Sequence, residues 1–100
     1  MRHLSQKILD HVVNLILAYK KPEKIVLFGS QASQSAGKTS DIDIAIWAKD
    51  WSDRDFNIVK DRLEEGIKTP LKFDVINYYG LSKETLRKSI LEKGEVIYGS

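Results

Sequence analysis

The sequence predicts a single α/β domain spanning residues 1–100, with a mixed sheet of about four strands and helices packed mainly on one face. Two observations predict this fold. Segments with the 3.6-residue periodicity of amphipathic helices are interleaved with short, largely apolar segments typical of strands. The length of 100 residues suffices for one hydrophobic core, and 42% hydrophobic with 30% charged residues indicates an ordinary globular domain.

The first predicted helix covers residues 4–20. Apolar residues recur there at three- and four-residue spacing and form a broad stripe, and Pro22 ends the pattern. Residues 24–28 follow as the first strand. This strand has no polar face, which predicts a central place in the sheet with cover on both sides.

The second predicted strand, residues 41–47, carries the most informative pattern in the chain. Successive side chains of a strand point to opposite faces, so Asp41 and Asp43 share one face and the intervening isoleucines share the other. The preceding residues 30–40 are small and polar. Their first few could form a short helix whose N-terminus, at Gly29 and Ser30, is directed at an anion.

The second helix is predicted from its boundary signals. Ser52 is expected to cap it, with Asp55 completing a capping box. Trp51 and Phe56 have the spacing of a hydrophobic staple, and Gly66 is expected to end the helix.

The last part of the chain predicts two strands and one more helix. Residues 71–76 form the third strand, and Ser82 is expected to cap the last helix, which ends at Gly94. Residues 95–98 form a short edge strand. The side chains of the last helix predicted to face inward are Leu86, Ile90 and Leu91.

Three carboxylates on neighbouring predicted strands define the candidate site. Asp74 stands in an otherwise apolar strand, where a lone buried carboxylate would be costly. Asp41, Asp43 and Asp74 could together hold two Mg²⁺ ions about 4 Å apart, the arrangement that clamps attacking and leaving oxygens in phosphoryl or nucleotidyl transfer. In the structural alternative, Asp41 caps a loop, Asp43 faces water and Asp74 pairs with Lys72.

A second phosphate-binding pattern lies within residues 32–39, which satisfy a relaxed P-loop motif. A P-loop must be followed by a helix, whereas here a strand follows within two residues, so we reject the motif. Lys38 remains a candidate nucleotide-binding residue, with a solvated loop lysine as the alternative.

Composition limits the other functional classes. The chain has no cysteine, which excludes disulfides and thiolate-bound metals. Its longest apolar run, residues 15–19, is too short to span a bilayer, and no signal-peptide pattern is present, so we expect a cytoplasmic protein without a membrane partner. A net charge of +2 does not support direct nucleic-acid binding.

The spacing Gly29-Ser30-x10-Asp41-x-Asp43 resembles the signature of the minimal nucleotidyltransferases (MNT) of the DNA polymerase beta-like superfamily, and Asp74 matches the position of their third carboxylate. The resemblance implies ATP or another nucleoside triphosphate as donor and two Mg²⁺ ions. It implies that Asp41 and Asp43 hold both ions, while Asp74 holds the catalytic one and helps to activate the attacking hydroxyl. Gly29 and Ser30 would cradle the outgoing pyrophosphate.

The same resemblance implies a partner. Such short proteins are typically encoded beside a helical HEPN-domain protein, and they act as antitoxins that add AMP to a tyrosine of this toxic partner. The predicted function is therefore Mg²⁺-dependent transfer of AMP from ATP to a hydroxyl of a HEPN protein. Trp47, Tyr78 and Tyr79 are candidates for the partner contact, with core packing as the alternative.

The loop after Gly29 departs from the family pattern. Many relatives read Gly-Ser-Arg-Ala-Arg-Gly, whereas Gln31 and Ser33 stand here in place of the two arginines. Each lost charge-assisted contact with a phosphate would cost about 1.5–3 kcal/mol, which predicts weaker donor binding. The alternative function is a catalytically weak binding module that neutralises a helical partner by complex formation.

Overall fold

The computed structural model describes residues 5–29, 41–69 and 72–99. A short 3₁₀ turn, Tyr78–Gly80, follows the third strand. The alternation of helices and strands predicted from periodicity is confirmed, with boundaries that differ by at most two residues within the described ranges. The predicted starts of the first helix at residue 4 and of the third strand at residue 71 lie outside them. The elements in chain order are α1 (Gln6–Tyr19), β1 (Lys24–Phe28), β2 (Ile42–Trp47), α2 (Asp53–Gly66), β3 (Phe73–Asn77), α3 (Glu84–Lys93) and β4 (Glu95–Tyr98).

The strands form a mixed sheet in the order β3–β2–β1–β4. β1 pairs antiparallel with both β2 and β4, whereas β2 and β3 run parallel. The predictions of a mixed sheet, a central first strand and an edge position for the last strand are therefore confirmed. A parallel pair needs a crossover connection, which α2 supplies, and this crossover brings the start of β3 beside the start of β2.

The central strands are buried on both faces of the sheet. The isoleucine face carries Ile42, Ile44 and Ile46, and it packs against α1 and α2. We call the opposite side the aspartate face because Asp43 and Asp74 lie on it. It packs against α3 through a second apolar cluster, which contains Val26, Phe28, Ala45, Trp47, Tyr78 and Ile90.

Polar caps define the starts of α1 and α2. The amide of Asp55 donates to Ser52 Oγ at 3.4 Å and the amide of Ser52 donates to Asp55 Oδ2 at 2.8 Å, which confirms the predicted capping box. The rings of Trp51 and Phe56 are 5.2 Å apart, as the staple requires. Ser5 caps α1 by accepting a hydrogen bond from the amide of Ile8, a cap that the sequence did not predict.

Asp55 also ties α1 to α2. Its carboxylate accepts hydrogen bonds from Tyr19 Oη at 2.6 Å and from Lys20 Nζ at 3.2 Å. The hydrogen bond from Tyr19 and that from the Ser52 amide hold the pKa of Asp55 well below its usual range. The sequence predicts Asp55 only as a capping residue, because its partners at the end of α1 and just after it are more than thirty residues away.

Two predictions about the last helix are wrong. The cap position of α3 belongs to Lys83 rather than Ser82. The amide of Leu81 still donates to the Tyr78 carbonyl in the 3₁₀ turn, and the Lys83 carbonyl accepts the first helical hydrogen bond, from the amide of Arg87. Leu91, predicted to face inward, is 58% exposed. Leu86 and Ile90 are four residues apart and share the buried side, whereas Leu91 lies about 100° further around the helix.

Within residues 5–29, 41–69 and 72–99, no helix has the length and apolar content that crossing a membrane requires.

Candidate active site

Asp43 and Asp74 lie side by side at the starts of two parallel strands. The register pairs Asp43 of β2 directly with Asp74 of β3. Their α-carbons are therefore about 4.8 Å apart, one inter-strand spacing, and both side chains emerge on the aspartate face. The pairing agrees with the sequence-based expectation that Asp74 shares a face with Asp43.

Asp41 lies immediately before β2, and its side chain is exposed. The amide of Ile42 donates to the carbonyl of Lys72 at 2.8 Å, so the ladder between the two chain segments continues up to this point. Asp41 is two residues from Asp43, which corresponds to about 7 Å along an extended chain. The structure therefore places Asp43 and Asp74 side by side as a pair, and Asp41 is exposed just before the start of β2.

Gly29, which directly follows β1, lies against the carboxyl group of Asp43. Because Phe28 pairs with Asp43, the next residue of the chain lies over the Asp43 carboxyl group. A β-carbon at residue 29 would overlap Asp43 Oδ2 and would lie 3.1 Å from Asp43 Cγ. Gly29 also has a φ of 75°, in the left-handed region that favours glycine. The Gly-Ser motif predicted phosphate access at Gly29, but the contact with Asp43 depends on the pairing of β1 with β2.

The charge of Asp43 is poorly compensated. Partial burial, followed by the charges of Asp74 and Asp41, raises the pKa of Asp43 from 3.8 to about 6. Among the described residues, neither Asp43 nor Asp74 forms an ion pair with a lysine or arginine. The alternative in which Lys72 neutralises Asp74 is therefore not observed in that part of the chain.

These residues fit a hard divalent cation by their donor chemistry. Carboxylate oxygens are the ligands that Mg²⁺ prefers, and a cation would neutralise the charges that raise the pKa of Asp43. Asp43 and Asp74 would hold the ion, with Asp41 as the third donor. In the described stretches, no three carboxylate or histidine side chains lie close enough together to form a metal site.

Some predicted site residues lie outside the described residues. These are Ser30 and Lys38, together with the proposed short helix after Gly29 and the departures at Gln31 and Ser33. The strand that argued against a P-loop is present as β2, which begins at Ile42.

Of the three aromatic candidates for a partner contact, two belong to the core. Trp47 and Tyr78 are buried, and their rings stack with centroids 4.0 Å apart. Lys24 Nζ lies 5.0 Å from the Trp47 centroid, and the Arg87 guanidinium lies 5.5 Å from that of Tyr78. Tyr79 is 45% exposed, so it alone of the three presents a large surface to another molecule.

Two cavities of the described structure lie away from the carboxylates. The larger, of about 490 Å³, lies between α1 and the end of α2, and the smaller, of about 180 Å³, lies beside α3. Neither is lined by Asp43 or Asp74.

Solved structures share this fold. A chain of a toxin–antitoxin complex with AMP-PNP superposes with a TM-score of 0.79 at 21% identity, covering 92% of this chain and 73% of that one. A chain of the complex between the tri-AMPylated Shewanella oneidensis HEPN toxin and the MNT antitoxin gives a TM-score of 0.75 at 20% identity, covering 97% and 74%. A Sulfolobus solfataricus protein described as a putative nucleotidyltransferase gives a TM-score of 0.57 at 20% identity. The match covers 93% of this chain and 78% of that one.

Comparison with curated proteins gave no match. The family described as polymerase beta, nucleotidyltransferase, matches residues 10–100, a range that includes the whole sheet together with Gly29, Asp41, Asp43 and Asp74. The match covers most of the chain, and the fold agrees with it. The chain therefore belongs to the polymerase beta nucleotidyltransferase family.

Proposed function

We propose that this nucleotidyltransferase uses Mg²⁺ to transfer AMP from ATP to a hydroxyl group, with release of pyrophosphate. The observation that carries the proposal is the direct pairing of Asp43 with Asp74, with Gly29 against the Asp43 carboxylate. Paired carboxylates without a compensating cation are typical of sites that bind metal ions for phosphoryl transfer. The AMP-PNP in the similar toxin–antitoxin complex supports ATP as the donor.

The proposed reaction joins an acceptor oxygen to the α-phosphorus of ATP and breaks the bond from that phosphorus to the pyrophosphate. Bound Mg²⁺ would supply charge neutralisation for the phosphates. Asp41, Asp43 and Asp74 would hold the metal, and Asp74, whose side chain is exposed, would also accept the proton of the attacking hydroxyl. Gly29 has no side chain, so phosphate oxygens can approach its backbone.

We also propose that the acceptor hydroxyl belongs to a helical HEPN-type protein, which this chain neutralises as an antitoxin. The Shewanella oneidensis complex contains an AMPylated HEPN toxin together with an MNT antitoxin, and one of its chains shares the present fold. Asp41 and Asp74 are both exposed, near the starts of β2 and β3. An acceptor side chain from another protein can therefore reach them.

The test is transfer of label from ATP labelled at the α-phosphate to the HEPN protein, in the presence of Mg²⁺. We expect transfer with the unaltered chain and its loss with Asp43→Asn and Asp74→Asn. Asp61→Asn is a matched control, because Asp61 is an exposed aspartate on α2 away from the site. Equal transfer by all four proteins would contradict the proposal.

The alternative is a binding module that neutralises its partner by complex formation alone. Gln31 and Ser33 stand in place of the two arginines of many relatives, and they favour it because the segment expected to bind phosphate then carries fewer cations. This function predicts neutralisation of the partner without label transfer, unaffected by Asp43→Asn. Measuring both transfer and toxin activity in one experiment separates the two functions.

A further inference from the structure

Lys72 lies next to the carboxylates on the aspartate face. Its carbonyl oxygen accepts the hydrogen bond from the amide of Ile42, which places Lys72 opposite Asp41 across the β2–β3 ladder. Alternate residues of an extended segment point to the same side, so residues 72, 74 and 76 share a face. Asp74 lies on the aspartate face, and Ile76 packs against the apolar cluster of the same face. The backbone thus directs Lys72 toward the entrance of the candidate active site.

The ammonium group of Lys72 is available to bind a ligand. Its side chain is exposed, and no carboxylate of the described residues forms an ion pair with it. Asp41 lies opposite it and Asp74 two residues further on, while Glu64 Oε2 accepts a hydrogen bond from the amide of the next residue at 3.4 Å. A cation so close to acidic groups, yet unpaired with them, is well placed to bind an anion that those groups recruit through a metal ion.

The donor supplies such an anion. A nucleoside triphosphate carries several negative charges, and the loop after Gly29 lacks arginines at residues 31 and 33. A lysine acts on phosphate as a compact point charge, and it does not need the planar geometry of a guanidinium. Lys72 approaches the site from β3, on the other side of β2 from Gly29, which directly follows β1.

We propose that Lys72 binds the phosphates of the nucleoside triphosphate donor and supplies part of the positive charge that the sequence lacks at residues 31 and 33. This inference rests on the proposed function, since it requires a triphosphate at the Asp43–Asp74 pair. Lys72 is a substrate-binding residue in this proposal. It does not hold the metal ion, so its loss must weaken binding of the nucleotide without weakening binding of Mg²⁺ alone.

The test measures binding of AMP-PNP with Mg²⁺, and of Mg²⁺ alone, by titration calorimetry. We expect Lys72→Ala to weaken AMP-PNP binding about 10- to 100-fold, the loss typical of a charge-assisted phosphate contact, and Lys72→Arg to retain most of the affinity. Affinity for Mg²⁺ alone should stay the same or rise. Lys68→Ala is the matched control, because Lys68 is exposed on the same connection between α2 and β3.

The outcomes separate the two proposals. If the unaltered chain does not bind AMP-PNP with Mg²⁺, the proposed function fails, and the role of Lys72 fails with it. If the chain binds AMP-PNP and Lys72→Ala binds it equally well, only the role of Lys72 is overturned. A parallel loss of Mg²⁺ binding in Lys72→Ala would also overturn it, because Lys72 would then act on the carboxylates and not on the phosphates.

Discussion

Gly29 faces the carboxylate of Asp43 so closely that no β-carbon fits between them. The contact joins the end of β1 to the start of β2, on the face where Asp43 pairs with Asp74. Access of phosphate to the backbone does not by itself require residue 29 to lie against the Asp43 carboxylate. Gly29 therefore helps to position the central carboxylate of the site as well as leaving its own backbone open.

Replacing Gly29 with alanine should impair both stability and metal binding. The left-handed φ costs a residue with a β-carbon about 1–2 kcal/mol, and relief of the overlap must displace the Asp43 carboxyl group. We expect a lower free energy of unfolding by urea denaturation and weaker Mg²⁺ binding by calorimetry. Gly80→Ala is the control, since a β-carbon there would lie 3.4 Å from Asn77 Nδ2, an ordinary contact. Similar losses in both variants would contradict the role given to Gly29.

Replacing Asp43 with asparagine should stabilise the metal-free protein at neutral pH while abolishing activity. The pKa of Asp43 is raised from 3.8 to about 6, so the folded state binds a proton more readily than the unfolded state. The ionised side chain therefore lowers stability as pH rises through about 6. With allowance for solvent screening of this half-exposed group, we expect Asp43→Asn to raise the free energy of unfolding by about 1–2 kcal/mol at pH 7.5 in EDTA.

This increase in the free energy of unfolding should shrink as the pH falls from about 6 toward 4. Asp43 of the unaltered chain becomes protonated there, so it is neutral like the asparagine of the variant. Urea denaturation at pH 7.5 and at pH 4.5 measures the difference, with Asp61→Asn as control. A gain that is independent of pH would show that asparagine acts through packing and not through charge.

Binding of Mg²⁺ should weaken in acid because the metal and the proton compete for Asp43. With a pKa of about 6 for Asp43, apparent affinity for Mg²⁺ should fall about 10-fold between pH 8 and pH 5. Calorimetric titration at several pH values, at constant ionic strength, measures this dependence. The loss should begin near pH 6. A loss that begins only near pH 4 would show that Asp43 is not the group that binds the metal.

The hydrogen bond from Tyr19 to Asp55 should contribute to the resistance of the fold to acid. The pKa of Asp55 is lowered in the folded state, so its contribution to stability is present above its unfolded pKa of about 4 and is lost as pH falls through the lower, folded value. Tyr19→Phe should therefore lower the urea midpoint at pH 7, and this difference should shrink below about pH 4. Tyr98→Phe is the control, because the Tyr98 hydroxyl has no hydrogen bond to another described residue.

The stacked pair of Trp47 and Tyr78 should couple the sheet to the 3₁₀ turn. Their rings are 4.0 Å apart and inclined by 17°. A double-mutant cycle with Trp47→Leu and Tyr78→Leu should give a coupling free energy of about 0.5–1.5 kcal/mol. The same cycle with Trp47→Leu and Tyr79→Leu should give a smaller value, because the Tyr79 ring contacts that of Tyr78 and its hydroxyl donates to Glu23, with no ring contact to Trp47 in the described structure. Equal coupling in the two cycles would contradict a specific contribution of the stack.

Local patterns in the sequence determined most of the secondary structure. Strand alternation placed Asp41 and Asp43 opposite the isoleucines, and the capping box at Ser52 and Asp55 marked the start of α2. These features depend on residues within a few positions of one another, so their physical causes can be seen in the sequence. The wrong predictions, Ser82 as a cap and Leu91 as a buried residue, arose where the 3₁₀ turn and the packing of α3 overrode local preference.

Tertiary structure alone decided which of the chemical groups meet. The sequence supplies the spacing of Gly29, Asp43 and Asp74, but only the order and register of the strands place Asp74 beside Asp43 and Gly29 over it. Strand register depends on the burial of whole faces and on the α2 crossover, and these are non-local interactions. The same pairing places Lys72 opposite Asp41. The acidic motif was therefore predictable from the sequence, whereas its electrostatics and its neighbours depend on the folded sheet.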